Sequence, residues 1–499
     1  MISYGEAMDV HTEALQACLY CKQRKRKCDK QLPSCFLCTE KHVICDYSAS
    51  NLTSNHTPSK DQVSHATDHE RLAAAHFLDS TYWAQSGLRL PPASAPLSRE
   101  IMSFIGDPWQ VAEQWFRETS SWLPILSIKH FRDKVLQPLS AMPADTLLLL
   151  ASMKVITWAP SGDSSARTTA YIATKRCHQE AQLMGVLSVP LLQAMVILAL
   201  YEIGHAIYPA AYLSIGSCAR YGMAIGVDGA NATDINDRQL SLFEQEERRR
   251  LWWVIVIIDR YMNLSCPTRS LSTKDPAPED LLPTDDEPWE RAFVDLQQMF
   301  TASSPADVRM GSFARLCQST YLLSRVLAWR ADTGSNEHFK EEQRQQLDRT
   351  LHSLINLSLY EGRVRRMTIC AQTAVSYSAL IILHSPSFLE SDISVQPITM
   401  ERHINLEKRE ALGILRPAAE ATSLKSGAFL TPATGPRTTS QTSPLLLHWA
   451  YLAASVYIQL IQTSGVDEEI GPLEILKTKL KLMSKRWLVA GMQGREIIH

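Results

Sequence analysis

The chain has 499 residues, more than one small domain uses, and its 45% hydrophobic and 20% charged content is that of a globular protein with a sizeable core. The formal charge is only −2, yet Cys18 to Tyr47 carries seven Lys or Arg against three Asp or Glu, a local +4 that leaves about −6 for the remainder. A basic head on an acidic body excludes a protein that binds polyanions along its whole length, and 20 glycines are too few for an extensive Gly-turned β architecture.

The N-terminal tail, residues 1–17, contains Glu6, Asp9 and Glu13 and no apolar stretch, so it is not read as a secretory signal. The Asn-x-Ser/Thr triplet at Asn231 is then no evidence of glycosylation. Uninterrupted apolar runs such as Leu147 to Leu150 and Leu251 to Ile258 are short and flanked by charge, which reads as core helix and gives no membrane partner. The expectation is an intracellular, soluble protein in a reducing compartment.

Six of the 11 cysteines lie close together, spaced Cys18-x2-Cys21-x6-Cys28-x6-Cys35-x2-Cys38-x6-Cys45. Cys177, Cys218, Cys266, Cys317 and Cys370 are scattered and read as small buried hydrophobes. Each Cys-x2-Cys can turn two thiolates towards one tetrahedral metal. Six thiolates cannot build two independent four-sulfur sites, but they can if two of them bridge, so the count points to a binuclear cluster. A disulfide framework fits poorly without a secretory signal.

The two halves of this repeat differ in charge. Lys22 to Lys27 reads KQRKRK, whereas Thr39 to Ile44 reads TEKHVI, so one face of the scaffold is strongly cationic and the other nearly neutral. Only the first can lie against a phosphate backbone. The same cations could neutralise the anionic metal cluster or serve nuclear import. Neither use excludes DNA binding.

The spacing, with the run Cys21 to Lys30 and Pro33 before Cys35, resembles the fungal binuclear zinc cluster family over about thirty residues. The resemblance implies two zinc ions, one held by Cys18, Cys21, Cys28 and Cys35 and the other by Cys18, Cys35, Cys38 and Cys45. It also implies a short helix after the second cysteine whose end reads a CGG triplet in the major groove of double-stranded DNA. Carried over, the base reader is Lys25, with Arg24 its neighbour, and Lys22, Arg26 and Lys27 serve phosphates or the cluster itself. A nuclear regulator of metabolic or secondary-metabolite genes is what the family leads one to expect, working with the transcription machinery or co-regulators.

Residues 48–100 read as a flexible linker, because Ser48 to Glu70 is polar and Leu52 and Val63 are its only large aliphatics. Leu72, Phe77 and Leu78 are too few for a coiled coil, so monomer and homodimer both stand open.

Residues 101–425 are read as one helical regulatory domain, followed by a Thr/Pro/Gly-rich loop at 426–444 and C-terminal helices at 445–499. Helical stretches are expected at Trp109 to Arg117, Ala144 to Trp158, Ala166 to Met184, Leu191 to Gly204, Ala210 to Ile225 and Glu244 to Leu264. Others follow at Pro288 to Phe300, Phe313 to Ala331, Gln343 to Leu359, Ile369 to Leu383, Leu445 to Thr463 and Leu473 to Trp487. The fold class is all-α: a small zinc cluster module, a linker and a large helical domain.

From Gln114 to Ser272 the body is similar to the fungal-specific transcription factor domain, on Trp122-Leu123-Pro124-Ile125-Leu126 with Phe131, on Gly216, Ala219, Arg220 and Gly226, and on Arg248 to Trp253 with Asp259-Arg260. By that resemblance it receives a regulatory signal from a metabolite or partner protein. The family's Gly-Arg-Pro turn after Asp-Arg is replaced by Cys266 to Ser270. Arg249, Arg250 and Asp259 read as structural ion-pairing groups. No enzyme is expected: Tyr171-x3-Lys175 has dehydrogenase spacing without a Gly-rich turn before it, His178 and His205 read as core or surface residues, and hydrolase, zincin and P-loop motifs are missing.

Overall fold

A computed structural model describes residues 17–32, 34–41, 43, 45, 99–136, 142–161, 165–229, 240–264, 266, 269–294, 299–305, 308–364, 371–384, 439–464 and 470–496. The expected N-terminal tail, the linker as far as residue 98 with Leu72, Phe77 and Leu78, the loop 426–438, and Pro33, Asn231, Pro267, Thr268 and Cys370 lie outside the described residues. The chain divides into two compact units, residues 1–75 and 76–499. The first contains α1 (Leu19–Gln23) and α2 (Phe36–Glu40), packed on each other.

In the second unit the α-helices of five or more residues are α3 (Arg99–Ile105), α4 (Pro108–Glu118), α5 (Ala144–Ile156), α6 (Thr169–Leu183), α7 (Val189–Gly204) and α8 (Ala210–Ala224). They continue as α9 (Leu242–Met262), α10 (Asp286–Glu290), α11 (Ser312–Ala331), α12 (Glu337–Val364), α13 (Ala371–His384), α14 (Leu447–Ser464), α15 (Ile470–Met483) and α16 (Leu488–Glu496). Among the described residues regular structure is helical, and the long-range β pairing of the second unit is an isolated bridge between Leu281 and Thr301.

Local chemistry starts several of these helices. Asp107 caps α4, with Pro108 in the first turn, and the hydroxyls of Thr168 and Ser188 accept the backbone N–H groups of Tyr171 and Leu191 to start α6 and α7. Ser241 and Glu244 form a reciprocal capping box on α9, and the Ser241 backbone N–H holds the Glu244 carboxyl below the usual carboxylate range. The last turn of α8 closes on Gly226, whose φ of +67° is open to glycine without strain.

Two buried helix pairs organise the core. α5 packs on α7, and every residue of α7 from Leu191 to Gly204 is buried, so this helix is enclosed all round and central. α11 packs on α13 in the second half, and α9 contacts both α7 and α11. The C-terminal helices return to the same core: α14 packs on α13, and α16 lies against α7 and α14. α14 would be long and apolar enough to span a bilayer, but 61% of the segment 444–462 is buried inside the molecule, as in the core helix of a globular protein.

Three segments differ from expectation. Instead of a helix from Pro288 to Phe300, α10 ends at Glu290 and Ala292 adopts a left-handed φ of +56°. The Leu282 N–H then donates to Phe300 O at 2.7 Å and the Ala302 N–H to Asp280 O at 2.9 Å, a long-range pairing that takes the backbone groups a longer helix would need. The helix expected over Leu473 to Trp487 stops at Met483, and α16 begins only beyond that stretch, at Leu488. α3 is an additional helix that straddles the expected boundary between the linker and the helical domain.

The break before α16 places Arg486 and Trp487. The Trp487 ring lies on Gly204, where a Cβ would fall 2.2 Å from Cε3. Helix propensity alone favours alanine over glycine by about 1 kcal/mol. The clash reverses that sign, and Gly204→Ala is expected to lower the midpoint of chemical denaturation by about 1–3 kcal/mol in stability. An unchanged or raised midpoint would mean that Trp487 moves aside freely.

Candidate metal centre and nucleic-acid interface

The first unit is built twice. Each residue of its second half follows its counterpart by 17 positions, pairing Cys18 with Cys35, Cys21 with Cys38 and Cys28 with Cys45. Backbone bonding repeats with the sequence. The Lys22 N–H donates to Cys18 O and the Thr39 N–H to Cys35 O, both at 3.0 Å. Arg26 closes on Cys21 O at 2.9 Å and Val43 on Cys38 O at 3.1 Å. Cys18 and Cys35 sit at the N-caps of α1 and α2, so each short helix carries one more cysteine a turn further on.

This geometry brings all six expected cysteines together. Cys18 Sγ lies 3.7 Å from Cys35 Sγ and 3.6 Å from Cys38 Sγ, and Cys21 Sγ lies 3.7 Å from Cys35 Sγ. Within each of two groups, Cys18, Cys21, Cys28, Cys35 and Cys18, Cys35, Cys38, Cys45, the sulfurs all fall within 4.8 Å of one another. The two groups share Cys18 and Cys35. Four of the six side chains are fully buried. Burial first, and the neighbouring sulfurs with it, pushes the Cys21 and Cys38 thiols up, and burial also raises Cys35. A cation inverts this electrostatics, because a coordinating thiol loses its proton outright. An all-sulfur, four-donor set suits zinc.

Asp29 joins the two halves. Both its carboxylate oxygens accept the Phe36 N–H, at 3.0 and 3.1 Å, and so cap the start of α2. Nothing in the cysteine spacing pointed to it, although an aspartate directly after Cys28 is a capping residue within reach of the second half.

Lys22, Arg24, Lys25, Arg26 and Lys27 are all exposed on the first half. Lys25 has φ +51°, the left-handed position after the α1 C-cap where glycine is usual. A lysine held there carries backbone strain of the order of 1–2 kcal/mol, a pattern that recurs at functional positions. The Arg24 guanidinium carbon lies 4.9 Å from the centre of the Tyr20 ring. Sequence reading passed over Tyr20, though its four-residue spacing from Arg24 on a helix was a usable signal.

The residues weighed for catalysis are structural. The Tyr171 hydroxyl donates to Glu202 Oε1 at 2.7 Å, the Lys175 ammonium pairs with the same oxygen at 2.8 Å, and the Ser214 hydroxyl donates to the other carboxylate oxygen. These bonds tie α6 and α8 to a fully buried glutamate on α7. His178 bonds the Ser152 hydroxyl at 3.1 Å, and burial pushes the imidazoles of His178 and His205 down to about 3, so both are neutral core groups.

A six-cysteine sulfur core beside one exposed cationic run is the frame of a metal-binding module. Residues 16–54 match the fungal Zn(2)-Cys(6) binuclear cluster domain, and residues 112–360 match the fungal specific transcription factor domain. The chain is 31% identical over 174 residues to "Transcription factor BOA15" of Botryotinia fuckeliana, an alignment covering 35% of this chain and 97% of that one. It is 29% identical over 175 residues to "Transcription factor tazR" of Aspergillus terreus, across 33% of this chain and 28% of that protein's length. The chain belongs to the fungal Zn(2)-Cys(6) transcription factors: it binds zinc and DNA and is not an enzyme.

Proposed function

We propose that the protein is a nuclear, RNA polymerase II-type regulator that reads CGG-type triplets through the exposed run Lys22 to Lys27. The observation that carries this reading is Lys25 itself, exposed and in the left-handed turn at the end of α1, beside the shared sulfur core. Two zinc ions would be held by the two four-sulfur groups, with Cys18 and Cys35 common to both. Bound zinc would supply rigidity, holding Cys18 and Cys21 so that the C-terminal end of α1 is presented to the major groove. Lys25 then donates to guanine O6 and N7, while Lys22, Arg24, Arg26 and Lys27 serve the phosphates. The helical unit would receive a metabolite or co-regulator signal, and the targets would be metabolic genes, secondary-metabolite clusters among them.

The test is selection of binding sites by the full-length, zinc-loaded protein from a random duplex pool at fixed salt. CGG triplets are expected to be enriched, singly for a monomer and in spaced pairs for a homodimer. Lys25→Ala is expected to cost about 1–3 kcal/mol of discrimination against altered triplets. Lys27→Ala should instead weaken all sequences alike and lower the salt slope by about one. A Lys25→Ala protein with unchanged sequence preference would remove Lys25 as the reader. A repressor or scaffold is separated from an activator by fusing the helical unit to a reporter system, where activation, silence and repression are distinct.

A further inference from the structure

The two halves of the sulfur module share one backbone plan, so their side-chain differences stand out. On α1, Tyr20 is followed four residues later by Arg24, with the guanidinium stacked over the phenol ring at 4.9 Å. At the corresponding positions of the second half stand Leu37 and Lys41, which cannot form such a stack. The stack therefore belongs to the cationic half alone. Tyr20 is itself partly buried against the cysteine core. A continuous packed path thus runs from the sulfurs through the ring to one guanidinium. Lys22, Lys25, Arg26 and Lys27 are exposed and make no comparable ring contact among the described residues.

A guanidinium laid on a ring keeps its N–H edges free while losing its rotational freedom. Those edges match a phosphate in a two-pronged arrangement, and the ordering cost is met before DNA arrives. Arg24 also occupies the C-cap of α1, so its backbone is as fixed as its side chain. A group held in this way at the helix end cannot extend as a free lysine can. It suits a fixed point on the backbone and not a search of base edges.

We infer that Tyr20 is a positioning residue: by stacking under Arg24 it holds that guanidinium as a preset phosphate clamp beside Lys25. This rests on the reading above that the Lys22 to Lys27 face binds DNA.

The experiment measures affinity over a salt series, sequence preference and zinc content for full-length wild type, Tyr20→Phe, Tyr20→Leu, Arg24→Ala, Arg24→Lys and the Tyr20→Leu/Arg24→Ala double variant. Tyr20→Leu installs the second half's own residue and keeps an apolar contact to the core. It is expected to bind every duplex about 2- to 5-fold more weakly at full zinc content, and Tyr20→Phe as wild type. Arg24→Ala should lose about 10-fold with a salt slope lower by about one and the triplet preference intact. The double variant should be no weaker than Arg24→Ala alone, because the ring acts only through the guanidinium. Arg24→Lys, exposed and with its charge retained, should recover little of the loss, since it lacks the planar fork. Multiplying losses in the double variant would overturn the inference. So would wild-type binding by Arg24→Lys, a result that stands even if Tyr20→Leu loses zinc. A changed triplet preference in Arg24→Ala would make Arg24 a base reader. Wild type that prefers no sequence would overturn the DNA reading itself, a failure visible before any variant is compared.

Discussion

Cys35→Ala is expected to strip the protein of all bound zinc and of sequence-specific DNA binding, whereas Cys28→Ala and Cys45→Ala each disturb one site first. Cys18 and Cys35 belong to both four-sulfur groups, while Cys28 and Cys45 each belong to one and lie at the partly exposed margin. Structural zinc in small modules contributes about 10–16 kcal/mol of apparent binding energy, which is also their folding energy. Among the described residues of the sulfur module, the core consists of cysteines with Tyr20, Leu37 and Val43 packed around them. Loss of the shared thiolate should therefore cost the whole gap between specific and non-specific binding, about 10³-fold or more. The helical unit has its own core from Ile101 to Ala490 and should keep its far-ultraviolet circular dichroism and melting temperature. Metal content by mass spectrometry and a shift assay on the selected duplex read the two effects. Cys266→Ala, outside the cluster, is the control and should retain both. Two zinc ions retained by Cys35→Ala would exclude it as a bridge.

How far the sequence spoke for itself depended on the range of the forces involved. The six cysteines are legible because metal ligation demands fixed local spacings, and the repeat interval of 17 residues survives directly in the fold. Many helices of the body are also legible, since caps such as Ser188 and Ser241 and prolines such as Pro190 act within one turn. What depends on distant partners was hidden. The Leu281 to Thr301 pairing redirects the segment after α10, and neither segment has a pattern that announces the other. Tyr171 and Lys175 show a catalytic spacing only until Glu202, on the next helix, takes both their polar groups. Asp29 and Tyr20 were missed for a smaller reason. A module with so few apolar residues gives no periodicity, and its side-chain contacts appear only once the sulfurs have placed the backbone.

The same distinction separates the two uses of arginine in this protein. Arg24 is exposed and stacked on a ring beside a cationic run, whereas Arg250 is fully buried between the rings of Trp289 and Phe313, at 4.8 and 5.6 Å. Asp259, another residue with a structural expectation, accepts the backbone N–H groups of Ser272 and Thr273 and pairs with Arg260, and so folds the segment where the family's Gly-Arg-Pro turn is replaced. These are groups that hold loops onto helices.

Arg250→Ala is expected to destabilise the helical unit by about 3–5 kcal/mol, the cost of breaking a buried ion pair from one side. The guanidinium pairs with Glu246 at 2.8 Å and Asp286 at 3.0 Å and donates to the carbonyls of Pro124 and Thr284, at 3.2 and 2.7 Å. One side chain on α9 thereby ties down the Trp122 to Leu126 loop and the approach to α10. Without it, Glu246 stays fully buried with the Thr284 N–H and hydroxyl, and with Arg249, which pairs with its other oxygen. Arg250→Met should lose nearly as much, because a matching apolar shape leaves the buried Glu246 with Arg249 alone as its cationic partner. Arg250→Met combined with Glu246→Gln should recover part of the loss, since the double variant buries no lone charge there. Denaturant midpoints of wild type, Arg250→Met, Glu246→Gln and the double variant measure the cycle. Zinc content and affinity for the selected duplex should be unchanged under folding conditions, because the sulfur module draws on none of these groups. A loss below about 1 kcal/mol for Arg250→Ala would place it among ordinary surface pairs and remove the structural role assigned to this cluster.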